Sequence, residues 1–538
     1  MALKLSRYQV RAAALVLVLT PLFAGNKKLK RIKPGANPPE YIAFSKPVSK
    51  DQQFHHALDR LTFGARPGDL EKIQTVGLDK WLNLELHPEK VAENPVLEQR
   101  LAPFESLRMS IEDTYARYPR KVQDAGGDSG LTPDQIEVLQ SGKPEEKQQL
   151  LKSLAPEKRS DFVRSLRPAE RQQLFASAPI ELRRELMLGV NPQNVVANDL
   201  SEGKLLRAIY SNHQLEELLV DFWYNHFNVF LGKGGDRYMV PTYEREAIRS
   251  YVFGKFYDLL LETAESPAML FYLDNWQSVA PGAVQRPNEK NKRGLNENYG
   301  RELLELHTLG VDGGYTQKDV IEVARCFTGW TIANPRKGGG FEYNDKVHDK
   351  GAKLVLGYAI AAGGGMNDGL AVLDILAHHP STAHFISLKL AQRFVADDPP
   401  PSLVNRMAQA FMKTDGNLRE VMRTMLAAPE FWSEGAYNAK VKTPFEMVAG
   451  AMRATNADVT SAFLLSNELQ KMGEPLYRKV EPTGYSSANA EWVSSAGLLE
   501  RMNFAAAVAQ NRIGGVKVDA GDWQTTALEI GSPEFQRH

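Results

Sequence analysis

The stretch from Asn296 to Trp330, NENYGRELLELHTLGVDGGYTQKDVIEVARCFTGW, gathers carboxylates, Arg301, Arg325 and His307 into two helix-like runs joined by glycines. On a helical wheel Asn298, Arg301, Glu302 and Glu305 fall within about 100° of one another, whereas His307 lies with Leu303 and Leu304. Glu302 and Glu305 at i, i+3 have the spacing for general-base or cation-binding work, but the wheel keeps His307 away from them, so this helix alone supplies no shared metal site. At i, i+4 spacing, Glu297, Arg301 and Glu305 also make a solvent-facing ladder, worth a few tenths of a kcal/mol per pair. Both readings stay open on the residues alone.

A second candidate lies in LEELLVDFWYNHFNVF, where Leu215, Leu218, Leu219, Phe222, His226 and Val229 share one arc, so His226 points to the core side of an apolar helix. There an imidazole either satisfies a core carbonyl or lines an internal cleft as a ligand or acid/base group, and Asp221 and Asn225 can orient it or pair with each other. A third candidate, the pair His348 and Asp349, falls in a turn-rich loop suited to binding. His378, His379 and His384 are interrupted by Pro380, which removes metal-ligand spacing on one helix. The segment VDGGYTQKDV lacks the spacing of a calcium loop. Nucleophile-elbow, phosphate-loop, dinucleotide and zinc-protease signatures are absent. From Met472 to Phe504 the sequence shows no titratable cluster and reads as a loop wrapping a core before a last helix.

The elements that must position these groups read as helix, turn and helix repeated along the chain, with few period-2 runs, so the predicted class is mainly α. Gly310 supplies a helix stop, and Thr316 with Asp319 a capping-box start for the next helix. Between Leu131 and Met187 the segments KPEEKQQLLKSL, APEKRSDFVRSL and RPAERQQLFASA stand end to end, with Pro133, Pro144, Pro156, Pro168 and Pro179 at near-regular spacing. Proline at the first helical position with carboxylates nearby predicts a series of short helices, an arm inserted into the helical domain. The expected organisation is a signal peptide (1–24), a basic linker (25–50), the first part of the helical domain (51–130), the inserted arm (131–187), the main helical domain (188–512) and a C-terminal tail (513–538).

The chain's 538 residues, 43% hydrophobic and 24% charged, suffice for one large core or two ordinary ones. Lysine plus arginine equals aspartate plus glutamate at 65 each, which gives no support to nucleic acid as a partner. The single cysteine, Cys326, rules out an internal disulfide and reads as a buried thiol. At the start, Lys4, Arg7 and Arg11 precede an apolar run from Ala12 to Ala24 that is shorter than the roughly 20 residues of a spanning helix, so it reads as an export signal. The basic cluster Lys27 to Lys33 opposes translocation under the positive-inside rule. The expected location is nonetheless secreted or periplasmic, at the cell envelope, with no transmembrane span once the signal is removed.

Taken together, several motifs resemble a bacterial family, the domain of unknown function numbered 1800. They are H-x-L-x-R-x-x-F-G at His56 to Gly64, F-W-x-N-H-F at Phe222 to Phe227, the NENYGRELLELHTLGVDGGYTQKDV stretch with C-F-T-G-W after it, the loop ending H-D-x-G-x-K at Lys353, H-P-x-T-A-x-F at His379 to Phe385, and G-E-P-L-Y-R, P-T-G-Y and R-M-N-F near the end. The resemblance runs from about Gln52 to about Arg512, and the proline repeat departs from it. It implies an exported protein, often encoded beside a second exported, sulfatase-like protein, with no established activity. It also draws His56, Arg60, Asn225, His226, Asn298, Arg301, Glu302, Glu305, His348 and Asp349 into one pattern, suited to a polar cleft or to a buried network that fixes how helices meet.

Two functions fit. The leading one is an exported binding or scaffold protein, with His56, Arg60, Asn225, Asn298, Arg301 and Asp349 holding a ligand. The alternative is a hydrolase, metal-dependent or not, on polysaccharide or related esters. In it Glu302 or Glu305 is general base, His226 or His348 is acid or metal ligand, and Arg301 or Arg60 stabilises developing charge. Either way Glu302 and Glu305 are expected to meet His226 and either Arg60 or His348. No cofactor or metal is specified.

Overall fold

The computed structural model describes residues 39–120, 131–283 and 293–538. The expected signal peptide and the expected linker up to residue 38 lie outside the described residues. The end of the expected linker is packed: Phe44 and Val48 are buried, and the Val48 amide donates to the Trp432 carbonyl at 3.0 Å.

Among the described residues helices follow one another, with three two-stranded antiparallel ribbons, so the fold is mainly α as expected. The first two ribbons pair Trp330–Ile332 with Phe341–Tyr343 and Lys353–Val355 with Tyr358–Ile360, turning the loop that carries His348 into two small hairpins. The third joins Asp458–Val459 to Val516–Lys517. Among the described residues no helix is long and apolar enough to cross a membrane.

Local signals explain the helix starts. Thr316 and Asp319 form the expected capping box, and Gly310 takes a positive φ of 81°. In the repeat, helices Pro133–Ser141, Pro144–Ser153, Pro156–Ser165 and Pro168–Ser177 each begin on their proline. Helices this short are marginal alone, and they hold by burying Leu151, Leu154, Phe162, Val163 and Phe175 in a second small core that also takes Tyr118, Val195, Val196, Tyr238 and Phe463 from outside the arm.

The expected end of the arm, Met187, falls inside the helix Ile180–Val190. That helix pins the arm to the domain, because Arg183 meets both carboxylate oxygens of Glu202 at 2.7 and 2.9 Å with both residues buried. The large core runs from Phe44 to Ile530 and draws on nearly every other helix. Residues 513–538 take part in it: the helix Trp523–Gly531 packs on Ser495–Ala509, and Ile513, Val516, Val518 and Ile530 are buried.

Candidate functional site

The motif residues fall into separate settings. His348 is buried within a closed network. Its Nδ1 donates to the Thr328 carbonyl at 2.8 Å and its Nε2 contacts Asp368 at 3.1 Å, while Lys353 donates to the same Asp368 carboxylate and to the Asp349 carbonyl. Asp349 is gripped by Arg325 at 2.9 and 3.1 Å, and those hydrogen bonds hold its carboxyl below the usual range. The group ties the Gln317–Cys326 helix to the hairpins, and Cys326 is buried beside it with its thiol pushed up to about 12 by burial.

Arg60 is fully buried and donates to the carbonyls of Ala436 and His538 at 2.8 and 2.7 Å. His56 sits among Phe431, Trp432 and Tyr437, and burial followed by the Arg60 charge lowers its pKa to about 3. Both are pins between the first helix and residues 431–437. Asn298 Nδ2 donates to the distant Leu273 carbonyl at 3.4 Å, tying its helix to the end of the Pro267–Tyr272 helix.

Arg301 faces solvent and contacts Glu297 at 3.3 Å and Gln317 at 3.0 Å. Glu305 accepts from the Tyr315 hydroxyl at 3.2 Å, and half-buried Glu302 is raised by burial and then by the like charge of Glu305. Among the described residues no hydrogen bond or ion pair joins Glu302 or Glu305 to His226, Arg60 or His348, so the expected convergence is not formed. The reason lies in the helix itself. Asn298–Glu302 is α-helical, but Leu303–Thr308 opens into i→i+5 pairing, with Leu309 N donating to the Leu304 carbonyl at 2.9 Å. Leu303, Leu304 and His307 turn into the core, as the wheel implied, and the acids stay at the edge.

His226 belongs to a different place. Its Nε2–H donates to the His307 carbonyl at 3.1 Å, taking up a helix-end oxygen, and its Nδ1 is left without a partner. Burial first, then Lys389 and His307, hold its pKa well below 6.5, so the ring is neutral.

It lines a cleft of about 690 Å³, a size typical of ligand sites. Four segments build the walls: the helix Gln214–His226 with Asp221 and Asn225, the helix Pro380–Phe394 with Lys389 and Arg393, the strap from Met472 to Trp492 with Glu474 and Tyr485, and the helix Ser495–Ala509 with Arg501. Asn225 is the clamp that seats the strap. Its Oδ1 accepts from the Tyr485 amide at 2.7 Å and its Nδ2 donates to the Tyr485 carbonyl at 3.1 Å. The adjacent Gly484 has a φ of 69°, and a Cβ there would stand 2.2 Å from the Asn225 carbonyl oxygen, so the close approach requires glycine. Asn225 thus positions the wall with its side-chain amide already engaged.

The cleft's charged groups differ in how far they are satisfied. Asp221 pairs with Lys204 at 2.6 Å, and Asp397 pairs with Lys440. Glu446, behind the wall, caps the Pro444–Ala454 helix with Thr443 and pairs with Arg393; burial opposes its ionisation, but Arg393 and the other contacts hold it down to about 2. Glu474 accepts from the Phe445 amide at 2.8 Å, yet burial and the nearby Asp221 carboxylate push it up to about 8. Glu474 and Arg501 overturn the expectation that the segment from Met472 to Phe504 holds no titratable cluster. Sequence reading also missed Lys389 and Arg393. The available signals were T-P-F-E at Thr443, a capping box, and the i, i+4 spacing of Lys389 and Arg393 on one helix face. Among the described residues no group of three or more His, Cys, Asp or Glu side chains is placed to hold a metal ion.

In comparison with known proteins, a family model described as "Protein of unknown function (DUF1800)" matches residues 56–535. No curated protein and no solved structure matches the chain.

Proposed function

The chain belongs to the DUF1800 family, whose description names no activity, and on the chemistry of the cleft we propose that it is an exported binding protein of the cell envelope that takes a polar, hydroxyl-rich ligand. One observation carries this reading: the cleft of about 690 Å³ is lined by donor and acceptor groups from separate segments, among them His226 Nδ1, which has no hydrogen-bond partner, and Lys389, which has no ion-pair partner among the described residues. Export rests on the apolar run from Ala12 to Ala24 behind its basic start. The sulfatase-like exported partner implied by the family resemblance belongs to the same proposal, and recovery of such a protein with the chain from envelope fractions tests it.

The ligand claim is tested by blocking the cleft. Ser487 lines it and Cys326 is buried, so Ser487→Cys labelled with a bulky maleimide is modified at the cleft alone. Calorimetry against a panel of neutral and acidic oligosaccharides is expected to show binding to the unlabelled protein that labelling abolishes. Binding that survives the label, or none to any member, overturns the proposal.

A hydrolase is the second reading, and the carboxyl pair favours it. Glu474, pushed up to about 8, lies near Asp221, which is held by Lys204; two carboxyls in such different surroundings are how general acid and base are divided. In this version Glu474 is the acid, Asp221 the base, and Glu302, Glu305 and His348 have no catalytic part. Release of reducing ends or of ester acid from the same panel, lost in Glu474→Gln, is its test.

A further inference from the structure

Among the described residues two cations of the cleft stand without an acid partner. Asp221, Asp397 and, behind the wall, Glu446 each have a cationic partner in Lys204, Lys440 and Arg393. Lys389 lines the cleft with no carboxylate within ion-pair distance among the described residues; its neighbours are the Phe385 ring, 5.5 Å from the ammonium, and the histidines His226 and His307. Arg501 is buried at the cleft and spends its donors on the Lys442 carbonyl at 2.8 Å and the Met447 sulfur at 3.6 Å, again with no carboxylate in ion-pair distance.

We propose that the cleft holds an oxyanion subsite at Lys389, in which the Lys389 ammonium takes a carboxylate, sulfate or phosphate group of the ligand and Arg501, on another wall, adds to the positive field of the cleft. A cation partly removed from water gains most from a counter-ion when the chain supplies none, and the low-dielectric walls strengthen that attraction. Burial lowers the Lys389 pKa with no acid to offset it, and lowers that of Arg501 with only partial offset from Glu474 and Glu446. Glu474, carrying its proton at neutral pH, adds no opposing charge and can donate to the ligand, while His226 Nδ1 can accept. The subsite therefore favours an acidic, hydroxylated ligand over a neutral one of the same shape.

This inference rests on the cleft being a ligand site, and the test separates the two. Sulfate, phosphate, glucuronate and glucose are titrated into the full exported chain at constant ionic strength, with and without the Ser487→Cys label. The expected result is that glucuronate and at least one inorganic oxyanion bind, that the affinity falls as sodium chloride rises, and that Lys389→Met weakens oxyanion binding by about tenfold or more, with Lys389→Arg restoring part of it. Lys389→Met breaks no ion pair, so its far-ultraviolet circular dichroism and cooperative melting are expected to match the parent and exclude misfolding as the cause. If glucose binds in a label-sensitive way and the oxyanions bind no better, the anion subsite is overturned and the cleft reading stands. If neither binds, both fall. Oxyanion binding unchanged in Lys389→Met also overturns the subsite.

Discussion

Two histidine-centred regions of this molecule are made of similar residues and do opposite things. Around His348, every polar atom has been answered: Thr328, Asp368 and Lys353 close on one another, and Arg325 closes on Asp349. Around His226, one ring nitrogen is satisfied and the other is not, Lys389 has no acid partner, and Glu474 is held protonated against a space of about 690 Å³. A histidine beside a carboxylate and a lysine is therefore no sign of a site by itself. What distinguishes the two regions is whether the chain supplies the last partner or leaves it to a ligand.

The largest effect is expected where the network is closed. Asp368→Ala strips Lys353 of its carboxylate while leaving the ammonium buried, and removing one partner of a buried pair costs about 3 to 5 kcal/mol. Urea unfolding should show that loss, with ligand titration unchanged in whatever fraction remains folded. A small cost, or a loss of binding without loss of stability, would erase the contrast between the two regions.

Glu474→Gln sharpens the contrast through pH. The folded carboxyl holds its proton up to about 8, whereas the unfolded one releases it near 4.5, so the folded state binds the extra proton between these values and Glu474 makes stability fall as pH rises through that window. His56 and His307, lowered to about 3, act in the other direction between about 3 and 6.5, where the unfolded state binds more protons. Their influence ends near 6.5, and because Glu85, raised to about 7, still titrates above that point, the effect of Glu474 is read only as the parent minus variant difference in the window from there to about 8. The parent minus variant difference in unfolding free energy should decline across it, by on the order of a few kcal/mol at most, and a flat difference would mean that Glu474 is not protonated in the fold.

Lys389→Met is expected to have a smaller effect on stability, and of opposite sign to Asp368→Ala. Removing a half-desolvated charge that has no partner should raise stability by about 0.5 to 2 kcal/mol, as substitutions at strained functional positions often do. Destabilisation would show that Lys389 is a structural cation after all.

The sequence made much of the fold legible and little of the cleft. Helix starts are local chemistry: the repeat prolines, and Thr316 with Asp319, mark their helices directly. The apolar arc through Leu215, Leu218 and Phe222 correctly put His226 against the core. Partners contributed by distant segments are not local, and the cleft joins Lys389, Glu474 and Arg501 through packing that no window of sequence contains. The strap is seated by Asn225 and Gly484, a glycine that only its contact explains. A wheel drawn at 100° per residue also carries no knowledge that Leu303–Thr308 opens to wider pairing, although it separated His307 from Glu302 and Glu305 correctly.

The smallest effect belongs to the stretch richest in charged motif residues. Arg301 is about two-fifths exposed and meets Glu297 at 3.3 Å, while Gln317 bridges the same two residues at 3.0 and 2.7 Å. Solvent screens such a pair and both side chains keep little order to lose, so Arg301→Ala should change stability by less than about 0.5 kcal/mol and leave oxyanion binding at the cleft untouched. The closed network and the open cleft each depend on burial, which Arg301 lacks. A loss of several kcal/mol in this variant would mean that Arg301 restrains half-buried Glu302, whose raised pKa already reflects burial and the charge of Glu305, and the acidic edge of that helix would then have to be counted as a third, strained region beside the other two.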